Sequence, residues 1–364
     1  MIYLACIGTA VISGAVWFGI IVMIDPHRRE KGSAASLVRS LVVGFASIPL
    51  VTALYYFYPD ASVAASTVLG RDFVEQLLVV GPVEESAKFL IFFLSTLRWK
   101  PVQEPLDGML HAAAVALAFS LVENVQYGLT YGVDITALRA LLATPAHLTF
   151  ASIWGFAYSV LIHANPHRRP RDYVVLFFSI YPAALIHGLS NFLLSLIGAW
   201  SLLVDGVEFF AAMSLLAWLQ SKSPFRPFRL AEAPAAVQRI ELSISSNANS
   251  FPLHLRAALA RAALGDYPRA RAHIDRCLKL RRGDAFAIAL SGVIHVLQGE
   301  TAKGEESLRF SSPSLTARQK LTLERLARHV VRSHRTENAY NEFLLSMWMK
   351  DQRSTRLKKS SAKA

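Results

Sequence analysis

From Met1 to about Ser221 the chain alternates apolar blocks of about twenty residues with short polar stretches. At 1.5 Å of rise per residue, a helix of that length crosses the ~30 Å hydrocarbon layer of a bilayer. Seven blocks stand out, at about 2–24, 36–58, 75–97, 108–131, 137–163, 173–198 and 201–220. Beyond Ser221 the blocks stop and arginine becomes frequent. The pattern predicts an all-α chain: a polytopic membrane helix bundle of about seven spans (residues 1–221), a linker (222–252), a soluble helical-repeat-like domain (253–350) and a basic disordered tail (351–364).

Composition agrees: 53% of the residues are hydrophobic and 18% charged, unusual for a water-soluble protein of 364 residues. Charge divides at the same boundary, with −2 on residues 1–221 and +14 on 222–364. A basic domain beside a bilayer is expected to face the anionic cytoplasmic leaflet. No nucleic-acid reader motif accompanies the charge, which argues against a nucleic-acid partner. The two cysteines, Cys6 and Cys277, fall in different halves and build no disulfide framework. The N-terminal block lacks a basic leader and reads as a retained span.

Lys and Arg cluster in alternate loops: Asp25–Lys31, Arg98–Lys100, His167–Arg171 and the stretch after span seven through Lys222, Arg226 and Arg229. The intervening loops hold little beyond Arg71 and Arg139. By the positive-inside rule this places the N-terminus outside and the C-terminal domain in the cytoplasm of a cell-membrane (inner-membrane) multi-pass protein.

Four of the spans carry ionisable residues in their interiors: Glu84-Glu85-x-x-Lys88, Phe119-x-x-x-Glu123-Asn124, His147, and His187-Gly188-x-x-Asn191. A charge at membrane depth costs roughly 2.5–3.5 kcal/mol on insertion scales, so three carboxylates and two histidines on four spans are expected to face one another. With the topology above, all five lie between the midplane and the outer face. A shared depth favours one site over a proton path strung through the bilayer.

Glu84 and Lys88 are four residues apart on a helix and can pair; Glu85 points about 100° away, toward the site or a partner helix. Phe119 and Tyr127 flank Glu123 by a turn on each side. His147 follows Thr144-Pro145, where a bend is expected, and Asn191 shares a face with His187 and could orient it. His111 reads as a packing residue, and Asp205 and Glu208 as interfacial. A salt bridge stapling two helices, or an interhelical hydrogen bond, would account for single motifs but not for the set.

Taken together, Glu-Glu-x-x-Lys, Asp107-Gly108 leading into Phe-x-x-x-Glu-Asn-x-x-Tyr, His147 with Gly155 eight residues on, and His-Gly-x-x-Asn resemble the PrsW family of intramembrane proteases. That family is related to the CAAX prenyl-protein endopeptidases and bacteriocin-immunity membrane proteins. The CAAX branch usually has Arg one position after Lys88 and a histidine where Glu123-Asn124 stands. The resemblance covers about 75–195 and implies hydrolysis of peptide bonds in membrane-associated substrates, near the outer side of the bilayer. Its implied site residues are Glu84, Glu85, Glu123, His147 and His187, and the motif residues Lys88, Asn124 and Asn191 complete the candidate catalytic set.

The favoured chemistry is water activated by Glu84 or Glu85, with a histidine and Asn191 serving the oxyanion or leaving amine, and no cofactor required. The alternative is a divalent metal such as zinc, held by Glu84, Glu85, Glu123, His147 and His187. No serine or cysteine is placed as a nucleophile. Two other classes compete: a catalytically inactive membrane scaffold, and a proton-coupled transporter. All motif residues are retained, against the first. Neither ionisable residues across the full depth nor an internal repeat of spans is present, against the second.

In the soluble half, Leu264-Gly265-Asp266-Tyr267 and Leu297-Gln298-Gly299-Glu300 set Gly265 and Gly299 34 residues apart, the tetratricopeptide period. Small and apolar residues follow at Ala270, Ile274, Cys277 and Leu278, with Gly304 and Leu308 in the second copy. A third pair is expected over 316–349, with Leu321, Leu326, Val330, Phe343 and Met347 at helical spacing. Such a region suggests a cytoplasmic protein partner beside the bilayer and the membrane-protein substrate.

Overall fold

A computed structural model describes residues 2–26, 33–57, 67–99, 102, 104–164, 170–197, 201–226, 228–246 and 248–334. No strand occurs among them. The chain divides into two compact units at Arg226 and Pro227. The expected Phe343, Met347 and basic tail lie outside the described residues.

The first unit is built of α1 (Ile2–Ile24), α2 (Ser33–Gly44), α3 (Ser47–Phe57), α4 (Val68–Glu75), α5 (Gly81–Trp99), α6 (Pro105–Tyr131), α7 (Val133–Leu141), α8 (Ala143–Ala164), α9 (Pro170–Phe178), α10 (Ile180–Ile197) and α11 (Ser201–Lys222). Among the described residues, five helical stretches are long and apolar enough to cross a membrane: Ile2–Ile24, Ser33–Phe57, Pro105–Tyr131, Ala143–Ile162 and Asp172–Ile197. The expected seven included two more. One of them, α5, carries Glu84, Glu85, Lys88 and Arg98, which remove it from any purely apolar criterion.

Several expected spans are broken helices, and proline accounts for the breaks. A proline ring clashes with the carbonyl four residues earlier and offers no N–H. Pro49 projects its break onto Phe45, between α2 and α3; Pro145 onto Leu141, where α7 gives way to α8; Pro182 onto Phe178, the last residue of α9. Pro82 projects onto Leu78, inside a widened π turn (Gln76–Val80) that joins α4 to α5. Freed groups are partly satisfied locally: Ser47 Oγ donates to Gly44 O at 2.6 Å, and Ser179 Oγ to Leu176 O at 2.6 Å. Such breaks are tolerated at membrane depth when neighbouring helices enclose them.

Helix α6 is the axis of the unit. Every residue from Leu106 to Ser120 is buried, whereas α1 buries only the stripe Cys6, Ala10, Gly14 and Ile21 and exposes Leu4 and Ile12. The buried stretch of α6 is rich in alanine, and its neighbours come close. A Cβ on Gly108 would lie 2.3 Å from Gly155 O, and one on Gly155 2.5 Å from Gly108 O. The two motif glycines are therefore the backbone contact of α6 with α8, as small residues serve between membrane helices. Likewise a Cβ on Gly188 would lie 2.3 Å from Gln76 O, and one on Gly81 2.2 Å from Ala184 O. These glycines press α10 onto the π turn and the start of α5.

The second unit contains α12 (Ala233–Ser246), α13 (Phe251–Ala263), α14 (Tyr267–Leu280), α15 (Ala285–Leu297), α16 (Thr301–Ser311) and α17 (Ala317–His334). Within the stretch expected as a linker, α12 packs on α13 through Ala236, Val237 and Ile240. The hairpins α13–α14 and α15–α16 begin 34 residues apart, as do their second helices. Each turns on a glycine in the left-handed region, Gly265 at φ 75° and Gly299 at φ 84°. Leu323, Leu326 and Val330 of α17 are buried, but Leu321 is exposed.

Replacing Gly108 by leucine is expected to lower the unfolding temperature in detergent by several degrees, since overpacking costs about 1–3 kcal/mol even where side chains can yield. An unchanged melt would contradict a backbone-tight α6–α8 contact. In the second unit, His254 Nδ1 and His273 Nδ1 are 2.9 Å apart, and His254 Nε2 donates to Ala248 O. Burial and the adjacent His254 imidazole hold the His273 pKa below the ordinary imidazole value. A depressed histidine pKa favours the neutral form, so this contribution is full above about pH 6.5 and is lost as pH falls below it. Pulse proteolysis in urea should show the second unit weakening from pH 7.5 to 5, and His273→Asn should flatten that dependence.

Candidate active site

Each broken or glycine-tethered helix delivers part of one cluster. Two and three residues after Pro82 come Glu84 and Glu85; two after Pro145 comes His147; five after Pro182 comes His187. Gly188, pressed against the π turn, brings His187 onto α5. The site groups Glu84, Glu85, Lys88, His147 and His187 are all buried.

Lys88 is the hub. Its Nζ donates to Glu85 Oε1 at 2.8 Å, to Glu84 Oε2 at 3.3 Å and to His147 Nδ1 at 3.1 Å, and sits 4.1 Å above the Phe119 ring. Glu85 is fully engaged, since Oε1 also meets His187 Nδ1 at 3.0 Å and Oε2 accepts from Trp154 Nε1 at 3.0 Å. Glu84 keeps one oxygen toward Tyr55, whose hydroxyl donates to Oε1 at 3.4 Å. Its Oε2 lies 3.7 Å from His187 Nε2.

A carboxylate only accepts, so His187 donates from Nδ1 to Glu85 and turns Nε2 toward Glu84 Oε2. His147 Nε2 lies 2.8 Å from Glu123 Oε2, while its Nδ1 accepts from Lys88. His147 is thus neutral with its lone pair on Nδ1. Glu123 is held on its other side by Arg139, 2.9 Å away. Three carboxyl groups, Glu84, Glu85 and Glu123, thus stand against two cations, Lys88 and Arg139, in a largely enclosed cluster.

A divalent cation here would take the His147 Nδ1 lone pair in place of Lys88 Nζ. Glu84, His147 and His187 offer one donor atom each, all within 4.8 Å of one another. Two imidazoles and a carboxylate are a common catalytic zinc set. His187 gives its Nδ1–H to Glu85, the support that metal-binding histidines regularly have, and His147 Nε2 lies 2.8 Å from Glu123 Oε2.

The residues expected from the sequence otherwise divide. Asn124 is buried but faces away from the reacting groups: it donates to Thr144 Oγ1 at 2.9 Å and accepts from Arg139 Nε at 3.2 Å, bracing α6 to α7 and α8. Among the described residues no hydrogen bond joins Asn191 to His187, whose Nδ1 instead meets Glu85 Oε1 at 3.0 Å. His111 is a packing residue, 2.8 Å from Ser40 Oγ. Glu208 accepts from Ser190 Oγ at 3.4 Å.

Three participants were missed. Tyr55 stands outside the motifs. Trp154 is seven residues after His147 and so on its face, a signal the spacing contained. Arg139 counted only as a loop charge, yet its guanidinium pairs with Glu123 and lies 3.8 Å over the Tyr127 ring.

Residues 32–219 match the sequence family described as PrsW family intramembrane metalloprotease, about half of the chain. The chain belongs to this family. Among curated relatives, the protease PrsW of Shouchella clausii is 26% identical over 195 residues, 53% of this chain and 86% of that protein. The protease PrsW of Bacillus subtilis is 30% identical over 131 residues, 36% of this chain and 59% of that protein. That of Clostridioides difficile is 29% identical over 131 residues, 35% and 54% respectively. The chain thus spans most of the first relative and little more than half of the other two. No solved structure matches. Family membership makes this PrsW-type chain a membrane peptidase, and the match contains every element of the cluster while residues from Pro227 onward lie outside it.

The Arg139–Glu123 pair is partly enclosed, with side chains 14% and 16% exposed. A double-mutant cycle of Arg139→Gln and Glu123→Gln, read by thermal unfolding, is expected to give a coupling above about 1 kcal/mol, between the values for exposed and buried pairs. A coupling near zero would remove Arg139 from the site.

Proposed function

We propose that the chain hydrolyses peptide bonds of membrane-embedded proteins near the outer side of the bilayer, with water activated at a metal centre held by Glu84, His147 and His187. The observation that carries this reading is the convergence of three buried donor atoms within 4.8 Å, with both imidazoles oriented by carboxylates. A bound divalent cation supplies Lewis acidity, lowering the pKa of a water and polarising the scissile carbonyl. The family description supports the metal over the metal-free alternative.

The protein groups then have separate tasks. Glu85 holds His187 by accepting its Nδ1 proton, and Glu123 sits against His147 Nε2. Lys88 compensates the carboxylates and keeps Glu84 and Glu85 together on one face. Tyr55 holds Glu84 Oε1, which leaves Oε2 toward His187. Glu85 has both oxygens engaged and no exposed surface, which argues against it as the base. Glu123 has the most exposed side chain of the three carboxylates, 16% against 7% and 0%, and is assigned to take the proton from water and return it to the leaving amine. The shared depth of the motifs and the loop charges support an extracytoplasmic site with the C-terminal unit in the cytoplasm. The 34-residue repetition of two helical hairpins supports a tetratricopeptide-like, protein-binding role for that unit.

Membranes bearing the wild-type chain should yield peptide fragments that vanish with chelator and return with zinc. Glu84→Gln and His187→Ala should abolish both metal retention and cleavage. Glu123→Gln should retain metal and lose about 10²–10⁴-fold in rate. Fragments unaffected by chelator would contradict the metal reading; no fragments at all would contradict proteolysis.

A further inference from the structure

Lys88 draws on the same atoms as the metal centre. Its ammonium has three N–H bonds, and they go to Glu85 Oε1 at 2.8 Å, His147 Nδ1 at 3.1 Å and Glu84 Oε2 at 3.3 Å. Two of these acceptors belong to Glu84 and His147, which with His187 form the candidate ligand set. We propose that Lys88 is an internal competitor for that set. Its ammonium and a divalent cation are alternative occupants of Glu84 and His147, so metal loads only as Lys88 withdraws from them. The inference rests on the metal reading above and adds the residue that controls occupancy of the site.

His147 makes the competition exclusive. An ammonium only donates, so His147 Nδ1 accepts from Lys88 with the one lone pair that a ring nitrogen offers. The other ring nitrogen, Nε2, is turned to Glu123 Oε2 at 2.8 Å. A single lone pair can serve a lysine proton or a metal ion, not both. Glu84 Oε2 adds a second conflict, because an ammonium and a divalent cation on one enclosed oxygen repel each other at short range.

The surroundings also give Lys88 somewhere to go. Its shortest bond is to Glu85 Oε1, outside the ligand set, and the Phe119 ring face lies 4.1 Å from Nζ. Both favour a cation, and the flexible four-carbon stem lets the ammonium keep them while it releases His147 and Glu84. Lys88 has no exposed surface, so the exchange is between buried partners and not with water. Arg139, the other cation of the cluster, is not placed to compete in this way. Its guanidinium holds Glu123 and Asn124, neither of which belongs to the ligand set.

The test measures zinc affinity of the purified full chain, by competition with a chromophoric chelator, for wild type, Lys88→Met and Arg139→Gln. Lys88→Met removes the competitor and should bind zinc at least about 10-fold more tightly than wild type, the worth of one hydrogen bond to a charged group. Arg139→Gln removes an equal charge from the cluster without freeing a ligand, and should change the affinity far less. Loss of Lys88 also leaves Glu84 and Glu85 without their cation, so Lys88→Met should melt below wild type in chelator and recover in zinc. An affinity in Lys88→Met no tighter than wild type, or an equal gain in Arg139→Gln, would overturn the proposal. So would a Lys88→Met chain that stays unfolded in saturating zinc, because the ion should then take the ammonium's place. Zinc bound by neither wild type nor folded Lys88→Met would instead overturn the metal reading on which the proposal rests.

Discussion

The arrangement depends on one constraint: ionisable groups enclosed among membrane helices must compensate one another. Lys88 meets that constraint by contacting both carboxylates of its own helix and an imidazole from α8. Breaking one partner of a buried pair costs about 3–5 kcal/mol, because the other charge is left without compensation. The same bonds that make the cluster tolerable also make it ordered. Glu85 holds His187 and Lys88 holds His147, so both imidazoles are oriented by hydrogen bonding.

Proline and glycine place those groups. Pro82, Pro145 and Pro182 each interrupt a helix just before a functional residue, freeing the backbone to turn a side chain inward where a continuous helix would keep it on its own stripe. Glycine then sets the distances. Gly188 lets α10 touch the π turn ahead of α5, and Gly108 with Gly155 lets α8 touch α6. The motif glycines are thus packing devices that bring histidines within reach of carboxylates, and the helix breaks are tolerated because neighbours surround them.

Much of this was legible in the chain itself. Apolar blocks interrupted by Glu84, Glu85, Lys88, Glu123, His147 and His187 predict a membrane bundle with an inward-facing cluster, and those six residues do converge. Helix breaks were harder to read: Pro49 and Pro182 lie inside blocks whose hydropathy is continuous, and hydropathy does not register a missing N–H. The pairing within the cluster was harder still. Asn191 has the helical spacing to reach His187, but His187 bonds Glu85 from another helix, and only packing decides that partner. Arg139 lies in a short helix that pattern alone assigns to a loop, so its pairing with Glu123 depends on how α7 folds back on α6.

The central claim is that Glu84, His147 and His187 hold a catalytic divalent cation. X-ray absorption at the zinc edge on the purified full chain, with metal quantified per mole of protein, tests it most directly. One ion per chain with two imidazole nitrogens and a carboxylate oxygen in its coordination shell, lost in His187→Ala, is the predicted result. A chain that holds no stoichiometric metal, or a bound ion whose shell is unchanged in His187→Ala and Glu84→Gln, would contradict it.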